Sequence, residues 1–361
     1  MAEQHSVTIH AHPNIYTGKA NRNLKVDFCL PSSGVNEKTG LLVLVPGFGG
    51  HLESKVYVKM RKNFADQYNL VTIQCDYFGN SYMQTAKRFS LKNVKETKKH
   101  FTQNEWNEIN KEKNSILEII SDKNIVLPVK AQLDETLDEF NDMSYMQAID
   151  IINAIEAVDI LLKENNLTYD TNRVIGYGHS HGAYLLYLSN KLASNLFSYL
   201  IDNSAWIEPA YLYNNRFLNH KIENSILSIE FRYLAKEVIQ NKKVLNLHYL
   251  CKDFENIQII AFQGNDDSLV DHKEKKQIIK SMKNTDFILV KKEDIDNIKY
   301  TTNTHGLGAD YLELFSYALT YEKNIFKKVD RKLNYKIDFL SFHIEVDSSK
   351  GLSVFKFVQK G

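Results

Sequence analysis

The sequence predicts an α/β protein, a mostly parallel twisted sheet flanked by helices and carrying helical insertions. Three observations predict it. Short apolar runs recur at residues 41–45, 173–177 and 257–262, and a fully apolar run of this length suits a strand buried on both faces of a parallel sheet. Each run ends in a glycine-bearing or acidic turn. The run at 173–177 passes through such a turn directly into a stretch of helix length and composition, as a parallel crossover requires.

The bulk properties agree. The chain has 361 residues, 43% of them hydrophobic. That is long for one domain, but a sheet with insertions accounts for it, so residues 1–361 read as one. The formal net charge is +1, which gives no electrostatic case for nucleic acid or an anionic membrane as partner. The three cysteines, Cys29, Cys75 and Cys251, are scattered and odd in number, which argues against a disulfide framework. Residues 1–13 carry no apolar stretch of secretory type. No run approaches the roughly 20 apolar residues of a membrane span. A cytoplasmic location is the expectation.

Taken in order, residues 6–10 and 24–30 read as antiparallel edge strands, the second alternating through Leu24, Val26, Phe28 and Leu30. The strand at 41–45 runs into Pro46-Gly47-Phe48-Gly49-Gly50, a loop with unusual freedom at φ and accessible backbone N–H groups. Residues 70–75 are the next core strand. Residues 87–142 shift to Lys, Glu, Asn and Asp. Within them Thr102-x-x-Glu105 reads as a capping box, Trp106, Ile109, Ile116 and Ile120 form an apolar stripe at helical spacing, and Pro128 reads as a break. This insertion is either a surface decoration, a partner surface or a lid. Ser144-x-x-Gln147 reads as a second capping box, opening a buried crossover helix to about Lys163 on which Asp150 and Asp159 are structural.

The most informative stretch is Gly178-His179-Ser180-His181-Gly182. It reads G-x-S-x-G between a strand and a helix, the context of a nucleophile elbow. Ser180 is then the candidate nucleophile. The helix that begins there aims its N–H groups and positive dipole end at a developing oxyanion. The backbone N–H of His181 is one candidate oxyanion donor, and that of Phe48 (or Gly49) is the other. Past a strand end at 200–206, the aromatics Trp206, Tyr211, Tyr213 and Phe217 are either core or pocket lining. Gly49, His179 and Trp206 are the candidate lining positions. Residues 208–250 read as largely helical, a second cap element.

Gly264-Asn265-Asp266-Asp267-Ser268-Leu269-Val270 follows the strand at 257–262. An acid that orients an imidazole belongs at the C-terminal end of a strand, which selects Asp267. Asp266 stays open as the alternative and Asp271 as a weaker third. After a strand at 286–290, His305 lies in a polar glycine-bearing loop and is the candidate general base. The order Ser180, Asp267, His305 suits a triad on such a sheet. Residues 333–361 alternate about Ser348-Ser349-Lys350-Gly351 as a β-hairpin extension. His179 and His181 could tempt a metal reading, but no ligand set with metal spacing accompanies them. There is no G-x-G-x-x-G after the first core strand and no G-x-x-x-x-G-K-[ST] anywhere, which disfavours a nucleotide fold.

These motifs, in this order, resemble the α/β-hydrolase superfamily over residues 6 to 325. The elbow and the turn at 264–270 look like its esterase and prolyl-oligopeptidase side. The stretches 146–155, 178–185 and 201–206 are also similar to an uncharacterised bacterial family associated with surface-glycan gene clusters. The resemblance implies a serine hydrolase without cofactor, acting on a small-molecule ester, amide or thioester. The second resemblance adds an acylated sugar as substrate. An acyltransferase on the same triad and a non-catalytic scaffold are the competing readings.

Overall fold

The structure is a computed structural model, and it describes residues 1–112, 115–323 and 333–360. Gly361, the end of the expected extension, lies outside the described residues, as do two positions inside the expected 87–142 insertion. The chain divides into two compact units. One comprises residues 1–80, 142–209 and 240–361; the other comprises 81–141 and 210–239.

The first unit is built on eight strands: β1 (Glu3–His10), β2 (Asn23–Leu30), β3 (Gly40–Val45), β4 (Leu70–Cys75), β5 (Val174–His179), β6 (Tyr199–Asn203), β7 (Gln258–Gly264) and β8 (Thr285–Val290). Their order across the sheet is β1-β2-β4-β3-β5-β6-β7-β8. The first two strands pair antiparallel to each other and β2 to β4, and every later pairing is parallel. Strands β3 to β7 are buried along their whole length, which is why β3, β5 and β7 read as mostly apolar runs, while β4 and β6 also bury Thr72, Gln74, Asp202 and Asn203.

Helices cover both faces. On one, α1 (Lys55–Tyr68) and a C-terminal helix (Tyr311–Leu319) enclose a core that includes Leu42, Phe64, Tyr177, Ile201, Phe262 and Phe315. On the other, α2 (Tyr145–Glu164) packs on β2 and β4 and on α3 (His181–Leu192), which lies against β3, β5 and β6. The buried crossover helix is therefore where the sequence put it, but its cap is not. The Ser144 side chain makes no capping bond; Asp142 instead accepts the N–H groups of Ser144 and Met146. Asp150 is fully buried and grips Arg22 through two bonds of 2.6 and 2.8 Å, so its role is structural.

The C-terminal extension is larger than a hairpin. Strands Asn334–Asp338, Phe342–Asp347 and Val354–Gln359 form a three-stranded antiparallel sheet. The expected turn at 348–351 joins the last two strands. Glu156 of α2 holds this sheet through the backbone N–H and hydroxyl of Ser353, at 2.7 and 2.6 Å.

In the second unit, strands Arg88–Leu91, Val126–Gln132, Ser225–Phe231 and Arg216–Ile222 lie side by side in that order. The two inserted stretches thus build one sheet, with Val126–Gln132 parallel to Ser225–Phe231. This corrects the expectation that 208–250 is mostly helical: 216–231 is an antiparallel hairpin, and only short helices flank it. The break expected at Pro128 is a strand position. Its carbonyl accepts Lys92 N–H at 3.0 Å, but proline cannot return the bond, and the register with Arg88–Leu91 ends beside it at the pair Leu91–Val129. The Thr102–Glu105 capping box is present on the helix Gln103–Lys111, and Trp106, Ile109 and Ile120 are buried. No described helix in either unit is long and apolar enough to cross a membrane.

Candidate active site

The sequence-nominated residues gather at the C-terminal ends of the parallel strands, where loops in such sheets carry ligands. Ser180 follows β5 and caps α3 with φ 52° and ψ −118°, a backbone state a non-glycine residue holds at a cost of about 1–3 kcal/mol. Its N–H donates to Asn203 C=O at 2.8 Å and its C=O accepts Tyr184 N–H at 3.1 Å. Gly182 is required because α3 passes so close to β3 that a Cβ would stand 2.2 Å from Val45 O.

Ser180 Oγ lies 2.7 Å from His305 Nε2, and His305 Nδ1 lies 2.8 Å from Asp267 Oδ2. An ionised carboxylate only accepts, so Nδ1 carries the hydrogen and Nε2 is the acceptor that faces the serine hydroxyl. The Asp267 side chain is fully buried. Burial pulls its pKa upward, yet the bond from His305, the charge of that ring when protonated, the N–H of Leu269 and the amide of Gln263 outweigh it and hold the carboxyl below its usual range. Asp266 is exposed, one residue too early to share this arrangement. Asp271 caps the helix His272–Ser281 by accepting Lys273 N–H. Of the three acids, the structure brings Asp267 to the histidine.

The two histidines beside the serine turn inward to separate partners. His179 Nδ1 bonds the Tyr57 hydroxyl at 2.9 Å, and its ring stacks on Tyr311 at 3.8 Å. His181 Nε2 bonds Gln147 Oε1 at 2.7 Å. Burial lowers both to a pKa of about 3, so both are neutral at physiological pH. Among the described residues, no group of three or more His, Cys, Asp or Glu could hold a metal.

Phe48 sits in the loop after β3, its ring 5.5 Å from both His181 and Trp206. His181 is the first residue of α3, so its N–H has no partner within the helix. Of the expected lining positions, Gly49 is partly exposed, while His179 and Trp206 are 4% and 5% exposed. Trp206 is thus packed on His181 and Phe48 rather than open to solvent. Tyr57 and Gln263 carry no functional signal in the sequence; Gln147 appears there as a cap residue and within the stretch 146–155, and Asn203 and Ser204 only within the stretch 201–206. Each acts through a tertiary contact and has no local signature of its own.

Solved structures with a similar fold include an acylaminoacyl peptidase in complex with Z-Gly-Gly-Phe-chloromethyl ketone (12% identity, TM-score 0.51) and the uncomplexed acylaminoacyl peptidase of Pyrococcus horikoshii (12% identity, TM-score 0.50). Each alignment covers 92% of this chain and 43% of the peptidase, so the chain spans less than half the length of these enzymes. Est1E of Butyrivibrio proteoclasticus with bound ferulic acid also aligns, at 14% identity over 83% of this chain and 92% of that one, with a TM-score of 0.44. At such identities the likeness is one of fold, and that fold is the α/β-hydrolase fold. No curated protein matches the chain. The family model described as "Protein of unknown function (DUF2920)" matches residues 6–237, and the chain belongs to that family.

Proposed function

We propose that the protein is a serine hydrolase that cleaves an acyl ester, amide or thioester through an acyl-enzyme on Ser180. One observation carries the reading: the continuous hydrogen-bonded chain Ser180 Oγ to His305 Nε2 (2.7 Å) and His305 Nδ1 to Asp267 Oδ2 (2.8 Å), mounted on a strained elbow. A serine hydroxyl is a weak nucleophile until a base accepts its proton. His305 takes that proton as Ser180 Oγ bonds the acyl carbon. Asp267 fixes the tautomer and stabilises the imidazolium. The carbonyl electrons move onto oxygen, where the N–H groups of His181 and Phe48 receive the charge. A donor of this kind is worth about 3 kcal/mol in the transition state. The leaving group departs with the proton from His305. Water then attacks the acyl-enzyme with His305 again as base, releasing the acid and free Ser180.

The test is labelling with a fluorophosphonate, followed by a panel of simple esters, thioesters and O-acylated sugars. Wild-type protein labels at Ser180 and turns over at least one member. Ser180→Ala neither labels nor turns over, and its thermal unfolding matches wild type. Labelling that survives Ser180→Ala overturns the assignment.

A further inference from the structure

Asn203 ends β6, Ser204 follows it, and neither has a role in the chemistry above. We propose that they form a hydrogen-bonded clamp that sets His305 against Ser180, a positioning role resting on the reading of those two residues as base and nucleophile. Gly306 N–H donates to Ser204 Oγ at 3.1 Å. The Ser204 hydroxyl donates to Asn203 Oδ1 at 3.1 Å. Asn203 Nδ2 returns to the Gly306 carbonyl at 3.3 Å. The three bonds close a ring on both backbone polar groups of the residue next to His305. Their directions are mutually consistent, because the hydroxyl and the amide each both donate and accept.

The same two residues reach the other members of the site. Asn203 C=O accepts Ser180 N–H at 2.8 Å, and Ser204 N–H donates to Phe262 C=O at 2.9 Å, on the strand that leads to Asp267. Ser204 itself has φ 59°, a conformation that persists in a non-glycine residue only where its surroundings over-determine it.

Those surroundings are a buried ion pair. Lys275 Nζ lies 2.8 Å from Asp202 Oδ2, each side chain 1% exposed. Asp202 Oδ1 accepts Ala205 N–H at 2.7 Å, and Lys275 donates to Ala205 C=O at 2.9 Å. Tyr187 OH also donates to Asp202 Oδ2 at 2.8 Å. A buried pair is weak evidence for stability. Here it grips both backbone groups of Ala205 and so fixes the turn that carries the clamp.

The experiment uses Ser204→Gly, which keeps a positive φ accessible and removes the hydroxyl, and Ser204→Cys, which keeps the side-chain size. For each we measure the Ser180 fluorophosphonate labelling rate, kcat and KM on an ester, thermal unfolding, and the His305 Nδ1–H proton resonance. A misplaced base predicts a fall in kcat and labelling rate on the order of 10- to 100-fold, with KM and unfolding unchanged and the resonance displaced or broadened. Adding Asn203→Ala to Ser204→Gly costs little more, because both break one ring. Variants that react at the wild-type rate with an unchanged resonance overturn the clamp, as does a rate loss that only follows loss of folded protein. If wild-type protein neither labels nor turns over, the proposed function fails, and the His305 resonance in the two variants alone decides the clamp.

Discussion

At the scale of single residues, the choice of acid is the sharpest question the site poses. Asp266 and Asp267 are adjacent in sequence but differ in surroundings, one exposed and the other buried against His305 and two backbone N–H groups. Asp267→Asn keeps the shape but offers His305 an amide, which favours the wrong tautomer. The expected result is a fall in kcat of about 10³–10⁴-fold with KM little changed. Asp266→Asn is expected to leave both constants near wild type. Steady-state kinetics on one active ester checks both, and the reverse pattern would move the acid to Asp266. Ser180, Asp267 and His305 could be nominated from sequence because each sits in a turn with a local signature. Asn203, Ser204, Tyr57 and Gln147 could not, since their partners lie far along the chain and no periodicity marks them. The sheet order that brings β5, β6 and β7 side by side places Asn203 and Ser204 beside the site, and the packing of α1 and α2 on the sheet brings Tyr57 to His179 and Gln147 to His181.

At the scale of elements, the C-terminal sheet depends on a histidine more than 300 residues away. His12 Nε2 accepts Phe355 N–H at 2.8 Å, and His12 Nδ1 donates to Pro13 C=O at 2.6 Å. Only the neutral ring can do both, and burial lowers its pKa to about 4. The unfolded chain protonates this ring near pH 6.5. The native state therefore has a stability contribution that is complete above pH 6.5 and lost as pH falls toward 4. From pH 7.5 to pH 5 the loss from this one group is on the order of 2 kcal/mol. His12→Ala lowers stability throughout but should flatten the pH dependence by that amount, read from urea midpoints at the two pH values. An equally steep dependence in the variant would remove His12 as its source. Strands β3, β5 and β7 were legible because they are buried on both faces and mostly apolar. The hairpin at 216–231 was not. Its turn at Glu223-Asn224 lacks a glycine, and its strands expose Phe217 and Ile226 while burying Ser225, which blurs the alternation that marks a half-buried strand.

At the scale of the whole molecule, the two inserted stretches cannot be treated separately. Residues 81–141 and 210–239 form one unit, joined by the parallel pairing of Val126–Gln132 with Ser225–Phe231. A two-stranded hairpin is at best marginally stable alone. Replacing 81–141 with a Gly/Ser linker therefore strands the hairpin at 216–231, exposing its unpaired edge and the buried side chains of Ile229 and Phe231. The expected product aggregates. Replacing both stretches together removes the unit whole and leaves uninterrupted the sheet that carries Ser180, Asp267 and His305. That variant is expected to stay folded and to label at Ser180 with fluorophosphonate. The comparison is read by size-exclusion chromatography and labelling of the single and double replacements. A well-behaved single replacement would show that the hairpin does not need its partner strand. The double replacement also tests the lid reading of the insertion. A lid excludes water and helps to position the acyl group, so its removal should raise KM and alter acyl-chain preference while the label persists. Kinetics identical to wild type across the ester panel would leave the second unit with no part in substrate handling.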